Sequence, residues 1–279
     1  MLVNAKEMLQ EAKKGKYAVI SANYFDKESA KNLVSAAEEL NLPIMLSFAE
    51  VHDNMLSLDE AALIGKYYAT KSKAPVVLHL DHGTDKEYIF RAMDLGFNSV
   101  MIDASMDSFD VNVARTKEIV EEAHKRGIAV EAEIGHVGTG ESYNGLNDSD
   151  SVYTTVEEAV EFAKLTGVDS LAVSIGTAHG VYKNNVKPEL QFDRLHELDK
   201  ALSIPIVLHG GSGSGDDNLR RCSSEGVSKI NICTDFMVGA MKEVAAKEPK
   251  DYFSLLKAID QGMQDTMKHY LNILTKREE

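Results

Sequence analysis

The sequence predicts an α/β chain of the (β/α)8 class: a TIM barrel with an N-terminal capping helix and a C-terminal helical extension. Two observations lead to it. Eight short runs of apolar and β-branched residues recur along the 279 residues, and amphipathic helical patterns fill the intervals between them. Eight strand–helix units in about 250 residues is the size of such a barrel. A doubly wound open sheet is the competing arrangement, but the G-x-G-x-x-G turn expected after its first strand is absent.

In chain order, residues 1–14 read as an extra helix over the base of the barrel. The strands are expected in "YAVISA" from Tyr17, "PIMLSF" from Pro43, "PVVLHL" from Pro75, "NSVMID" from Asn98, "IAVEAEI" from Ile128, "VDSLAVSI" from Val168, "IPIVLHG" from Ile204 and "VSKINIC" from Val227. Their near-continuous apolar character suits strands of a parallel sheet covered on both faces. Helical patterns such as "DKEYIFRAMDLG", "VNVARTKEIVEEAHKRG" and "TTVEEAVEFAKLTG" separate them. Gly96, Gly127, Gly167 and Gly226 stand where a helix C-cap turns into the next strand. The stretch 135–154, "GHVGTGESYNGLNDSDSVYT", is polar, glycine-rich and aperiodic. Loops of that length in a compact domain are usually functional or disordered, and this one follows the fifth strand. Helical character resumes from about residue 250, and no linker divides the chain, so residues 1–279 are expected to form a single domain.

Composition bounds the partners. At 44% hydrophobic and 27% charged, the chain resembles a soluble globular protein. No apolar run approaches the roughly 20 residues of a membrane span. The N-terminal "MLVNAKEMLQEAKKGKY" is too charged for a signal-peptide core, so a cytoplasmic location is expected. A net charge of −14 without basic clusters argues against nucleic-acid and anionic-membrane partners. Any phosphate site must therefore be local. Cys222 and Cys233 are too few for a disulfide framework and lack metal-ligand spacing; reduced thiols are expected.

Active sites of such barrels form at the carboxyl ends of the strands. Strand 1 delivers Asn23 there, strand 3 Asp81 and His82, strand 4 Asp103, strand 5 Glu133, strand 6 His179, strand 7 His209 and strand 8 Asn231. Three imidazoles from three strands, each followed by glycine, suit a Zn2+ site with an open coordination position. Imidazole prefers zinc to calcium or magnesium, and cobalt, manganese or iron could substitute. Any one strand-end histidine is more often a satisfied core group than a ligand; the convergence of three favours the metal. His79 lies two before Asp81, on the same face but deeper, and is expected to be a core or supporting group. His124 and His196 fall in helical patterns and are expected to be solvated, His269 belongs to the tail, and His52 and His136 stay unassigned. "HGVYK" and "HGGSGSGDD" combine glycine amides, a serine hydroxyl and Lys183, as a phosphate-binding turn would. A flexible turn without function is the bland alternative.

Read together, "LHLDHG", "VMIDAS", "VEAEIG", "GVDSLAVSIGTAHGVYK", "LHGGSGS" and "KINICTD" resemble the class II, zinc-dependent fructose/tagatose-bisphosphate aldolases, in that family's order and over nearly the whole chain. The resemblance implies that His82, His179 and His209 hold the catalytic metal, with Glu133 and Asp103 forming an alternative or second metal position. It makes Asp81 the acid/base at the carbon-4 hydroxyl and Glu141 the residue that exchanges the carbon-3 proton. It assigns the substrate and its phosphate to Asn23, Gly180, Lys183, Gly210, Gly211, Ser212 and the run Asn231, Ile232, Cys233 and Thr234, with Asn231 also close to the chemistry. A monovalent cation, Na+ or K+, often accompanies that phosphate. The implied reaction is reversible cleavage of a ketose 1,6-bisphosphate to dihydroxyacetone phosphate and an aldehyde. Zinc would act there as a Lewis acid stabilising an enediolate, so that no Schiff-base lysine is needed. Relatives of this kind are homodimers or homotetramers.

The chain departs from the family at the far end of the substrate. Two residues past Asn231, fructose-type members carry aspartate and tagatose-type members alanine, whereas Cys233 stands here; Met237 stands where some relatives place a basic residue. "LHGGSGS" and "HGVYK" resemble the fructose type, and "TGVDSLAVSIGTAHG" the tagatose type. A ketose 1-phosphate lacking a standard 6-phosphate is therefore an alternative substrate. Two further readings compete: an amidohydrolase barrel, whose His-x-His on strand 1 is missing from "VISANYF", and a catalytically silent phosphosugar-binding relative, against which the intact His82, His179, His209, Asp81 and Glu141 argue.

Overall fold

The computed structural model describes residues 1–135, 153–180 and 187–275. Eight parallel strands close into a barrel in sequence order: β1 (Val19–Asn23), β2 (Ile44–Ala49), β3 (Val76–Gly83), β4 (Ser99–Ile102), β5 (Ala129–Ile134), β6 (Ser170–Val173), β7 (Ile206–Leu208) and β8 (Val227–Ile232). β8 returns to β1 with Asn231 opposite Ser21, which completes the ring. The helices that follow the strands are α2 (Lys27–Leu40), α3 (Leu58–Lys71), α4 (Lys86–Leu95), α5 (Phe109–Lys125), α6 (Val156–Thr166), α7 (Phe192–Ala201), α8 (Asp216–Glu225) and α9 (Thr234–Lys247). This is the predicted fold.

Local chemistry explains the helix boundaries. α2 begins with a reciprocal capping box between Asp26 and Ser29, and α3 with one between Ser57 and Glu60. Gly96 and Gly167 end α4 and α6 in the left-handed conformation, at φ 104° and 72°. α5 instead ends on Arg126, with Gly127 one residue later at φ 70°.

Strand alternation separates two environments. On β1, Ile20 and Ala22 join the apolar layer between barrel and helices, together with Leu46, Leu78, Val100, Val130 and Ile230 from other strands. The alternate positions point inward and are largely polar. Ser21 and Ser47 share a hydrogen bond of 2.7 Å, and Lys229 on β8 reaches Glu131 on β5 at 2.8 Å. The near-continuous apolar reading of the strands was thus incomplete, because the barrel interior holds paired charges and hydroxyls.

The floor is apolar. The predicted N-terminal helix, α1 (Ala5–Gly15), lays Met8, Leu9 and Ala12 over Val19, Met45, Val77 and Ala129. The predicted C-terminal extension is α10 (Tyr252–Thr275), which packs on α9 and α2. Its last turn is tied to the barrel wall, since the Leu274 carbonyl accepts from Ala18 N at 3.1 Å and from Ser223 Oγ at 2.6 Å. Gly262 of α10 faces Gly239 of α9 so closely that a methyl group there would collide with the Gly239 backbone. Among the described residues no helix is long and apolar enough to cross a membrane.

Candidate metal centre and active site

Adjacent residues of a strand point to opposite faces, yet Asp81 and His82 both serve the rim. The pairing of β3 with β4 shifts register between Leu80 and Gly83, and His82 takes a left-handed conformation at φ 48°. Such a non-glycine conformation costs on the order of 1–3 kcal/mol and persists only where the surroundings enforce it. It brings the imidazole round beside the Asp81 carboxylate.

His82 then meets partners at both ring nitrogens. Nδ1 lies 2.8 Å from Asp103 Oδ2, and Nε2 lies 2.8 Å from Nδ1 of His209. His209, one residue past β7, has its Nε2 2.9 Å from Glu131 Oε1. The sequence reading placed His179 at the end of strand 6, but β6 stops at Val173 and His179 arrives from the loop beyond. Thr177 fastens that loop by donating to the His209 carbonyl at 2.7 Å. The three imidazoles each offer a nitrogen within 4.8 Å of the others. His82 and His209 turn their remaining nitrogens to carboxylates, as metal-bound histidines do. The donor set fits a three-histidine metal site with room for a further ligand.

A second group, His82, Asp103 and Glu133, also converges within 4.8 Å. Asp103 is held for its present partner, because its Oδ1 accepts from the backbone and hydroxyl of Ser105 at 3.1 and 2.8 Å.

The electrostatics favour a cation. Burial by itself would lower the His82 imidazole, but Asp81, the hydrogen bond to Asp103 and the nearby Glu133 outweigh it and push it up to about 9. His179 goes the other way, down to about 3, through burial and its two histidine neighbours. Burial would raise the Asp81 carboxyl; His82, Lys229 and His209 override this and hold it well below the usual carboxylate range. Asp81 is also held in place, since Asn23 Nδ2 and Asn231 Nδ2 donate to its two oxygens at 2.8 and 2.9 Å. The buried Oδ1 of Asn231 has no hydrogen-bond partner among the described residues. An ionised base, fixed by two amides beside three imidazoles, can accept a proton from a hydroxyl placed in the cavity.

That cavity, about 170 Å3, is bounded by Asp81, His82 and His179 on one side and by Gly180, Gly210, Ser212, Cys233 and Thr234 on the other. Ser212 Oγ accepts from the backbone of Cys233 and Asp235 at 3.1 and 3.4 Å, which leaves its hydroxyl proton free to donate. Gly210 has φ 67°, and a Cβ there would stand 2.6 Å from the Ala178 carbonyl oxygen. Two expected members are directed elsewhere. The Gly211 amide donates to the Asn231 carbonyl at 3.0 Å, and the Ile232 side chain is buried in the apolar layer against the helices. Glu141, Lys183 and His136 lie outside the described residues. A wider recess of about 560 Å3 lies at the barrel's other end, but its Lys13 and His196 are already paired with Asp199 and Glu225.

Several histidine roles are resolved. His79 is a satisfied core group, with Nδ1 2.9 Å from Ser99 Oγ; burial and Lys229 push it down to about 3. His124 is half-exposed but paired with Asp169, so it is not simply solvated. His52 lines the cavity beside Ala49 and Val51. The sequence leaves His52 unassigned and gives no role to Glu131 or to Lys229 in the interior. Spacing could have flagged the last two, because Glu131 and Lys229 each lie two residues before a rim residue and so share its face.

The pattern of the family described as "Fructose-bisphosphate aldolase class-II" matches residues 3–279. The chain is 35% identical over 276 residues to a sulfofructosephosphate aldolase of Alkalicoccus urumqiensis, covering 97% of this chain and 96% of that one. It is 35% identical over 280 residues to the D-tagatose-1,6-bisphosphate aldolase subunit GatY of Klebsiella oxytoca, covering 98% and 97%. The crystal structure of the YdjI aldolase from Escherichia coli K12 superimposes with a TM-score of 0.89 at 32% identity, covering 99% of this chain and 98% of that one. With the metal-ligand geometry and the barrel already in place, these matches establish that the chain belongs to the class II fructose-bisphosphate aldolase family.

Proposed function

We propose that the protein reversibly cleaves a ketose 1,6-bisphosphate, of fructose or tagatose type, to dihydroxyacetone phosphate and an aldehyde. The observation that carries this reading is the Asp81 carboxylate, held by Asn23 and Asn231 beside His82, His179 and His209. Those imidazoles would hold the divalent metal that the family implies, zinc by donor chemistry, with Asp103 and Glu133 as a second position. When bound, zinc supplies Lewis-acid polarisation of the substrate carbonyl.

The chain's own residues account for the proton movements. Asp81 takes the carbon-4 hydroxyl proton as the bond between carbons 3 and 4 breaks, leaving the aldehyde and shifting the electron pair towards the carbon-2 carbonyl. Glu141 would then return a proton to carbon 3, completing dihydroxyacetone phosphate. Ser212, Gly210, Gly180, Lys183 and Thr234 would bind its phosphate, with a monovalent cation beside them. Lys229 is unsuited to a Schiff base, because its Nζ is buried and engaged by Glu131 and His79. A single domain acting as a homodimer or homotetramer in the cytoplasm completes the proposal.

A second reading, a ketose 1-phosphate without a phosphate at its far end, is favoured by one observation. No lysine or arginine is among the described cavity residues, and Cys233 occupies the departure point. Fructose 1,6-bisphosphate, tagatose 1,6-bisphosphate and a ketose 1-phosphate are to be assayed side by side, before and after chelation. Chelation is expected to abolish cleavage and zinc to restore it, and borohydride with substrate should trap no adduct. Full activity after exhaustive metal removal would refute the mechanism. Equally poor rates on both bisphosphates, with a fast ketose 1-phosphate, would select the second reading.

A further inference from the structure

One buried ion pair has no part in the proton movements proposed above. Lys229 on β8 and Glu131 on β5 are 0% and 1% exposed, and their charges meet at 2.8 Å. The same carboxylate oxygen, Glu131 Oε1, lies 2.9 Å from His209 Nε2. On its other side Lys229 Nζ approaches His79 Nε2 at 3.5 Å, and His79 Nδ1 pairs with Ser99 Oγ at 2.9 Å. One buried chain therefore runs from His79 through Lys229 and Glu131 to His209. Stability alone is a poor reason for it, because an apolar pair of similar size is often no less stable than two charges taken out of water.

The two carboxylates that hold ligand histidines differ in setting. Asp103, which holds His82, is 20% exposed at its side chain and takes two further bonds from Ser105. Glu131, which holds His209, sits inside the barrel, where a carboxylate needs a cation of its own. Nothing but Lys229 pairs with it as an ion besides His209 itself, among the described residues. A carboxylate accepting from Nε2 places the imidazole proton there and leaves the Nδ1 lone pair free. Nδ1 is the nitrogen that lies 2.8 Å from His82 Nε2, facing the metal position.

We propose that Lys229 is a positioning residue for the metal: by compensating Glu131 inside the barrel, it fixes His209 in the Nε2–H tautomer and so presents Nδ1 as the ligand atom. The inference rests on the reading of His209 as a metal ligand. Partners that orient a ligand in this way typically contribute about 10- to 100-fold to metal affinity.

The test measures the zinc dissociation constant of the full chain by competition with a chromophoric chelator, together with the imidazole 15N spectrum of the metal-free protein. Glu131→Gln and Lys229→Met are each expected to weaken zinc binding about 10- to 100-fold. The double variant is expected to bind no more weakly than the weaker single, with the His209 tautomer preference lost. Because the Gln/Met pair leaves no unpaired buried charge, the double variant decides the matter even where Lys229→Met alone does not fold. Val77→Ala, in the apolar floor, should lower the melting temperature without changing zinc affinity. Zinc affinity within threefold of the parent in the double variant, or single losses that simply multiply, would overturn the role of Lys229. A parent chain that binds no zinc would instead overturn the metal site on which the inference rests.

Discussion

At the scale of single residues, the proposed chemistry depends on Asp81 being ionised and immobile. Asp81→Asn removes the base but keeps a planar group between Asn23 and Asn231. Turnover is expected to fall by about 10²- to 10⁴-fold while zinc remains bound; loss of metal along with activity would show a ligand role instead. Cys233 yields a second prediction. Burial pushes its thiol up to about 12, with Asp81 and Asp235 adding to the effect. A thiol raised this far holds little thiolate at neutral pH, and the thiolate is the reactive form. Alkylation of the native protein should therefore be slower than that of a free cysteine by more than about 100-fold at pH 8, and should rise only at strongly alkaline pH. Rapid labelling of Cys233 in mass spectra would show that its thiol is not raised in this way. Asp81, His82 and His209 were legible as rim residues, since strand ends are local properties, whereas His179 reaches the rim from a loop well past the end of β6. The left-handed turn at His82 was not, because nothing in "LHLDHG" announces a register shift that arises from pairing with β4.

Among elements, α10 does more than extend the chain. Its Tyr270 hydroxyl donates to Asp235 Oδ2, and the same oxygen accepts from Gly213 N at 3.0 Å, in the turn that carries Ser212. The C-terminal helix thus props the turn expected to bind phosphate. Tyr270→Phe should raise KM for the phosphorylated substrate about three- to tenfold and leave kcat within about twofold, the cost of roughly one hydrogen bond. Unchanged KM would show that the turn holds its shape without α10. The sequence indicated a helix from about residue 250, yet its docking could not be read there. It depends on Gly239 and Gly262 meeting face to face, far apart along the chain. The same limit applies to α1, which was expected as a helix over the base while the floor it covers is assembled from four strands.

For the molecule as a whole, the barrel concentrates ionised carboxylates in its interior and upper rim. Asp81, Asp103 and Glu131 are all held well below the usual carboxylate range; in each, burial pulls upward and neighbouring cations and hydrogen bonds prevail. A carboxyl depressed in the fold stabilises it above the unfolded value near 4, and that contribution is lost as pH falls towards the folded value. The melting temperature of the metal-free protein should therefore begin to fall below about pH 6.5, where His79 and His179, held neutral in the fold, protonate in the unfolded chain, and fall more steeply below about 4 as the carboxylates join them. The loss should be smaller in Glu131→Gln/Lys229→Met, and an equal fall in that variant would place the acid sensitivity elsewhere. By itself, the sequence determined the barrel, its extra helices, the rim histidines and the family, because periodicity, caps and short motifs are written in neighbouring residues. Only the tertiary structure decided which ring nitrogens of His82, His179 and His209 converge, where His179 enters, and that Lys229 and Glu131 close a charge pair beneath them. Those facts depend on strands brought together across the barrel, where burial makes every unpaired charge costly and so dictates the partners.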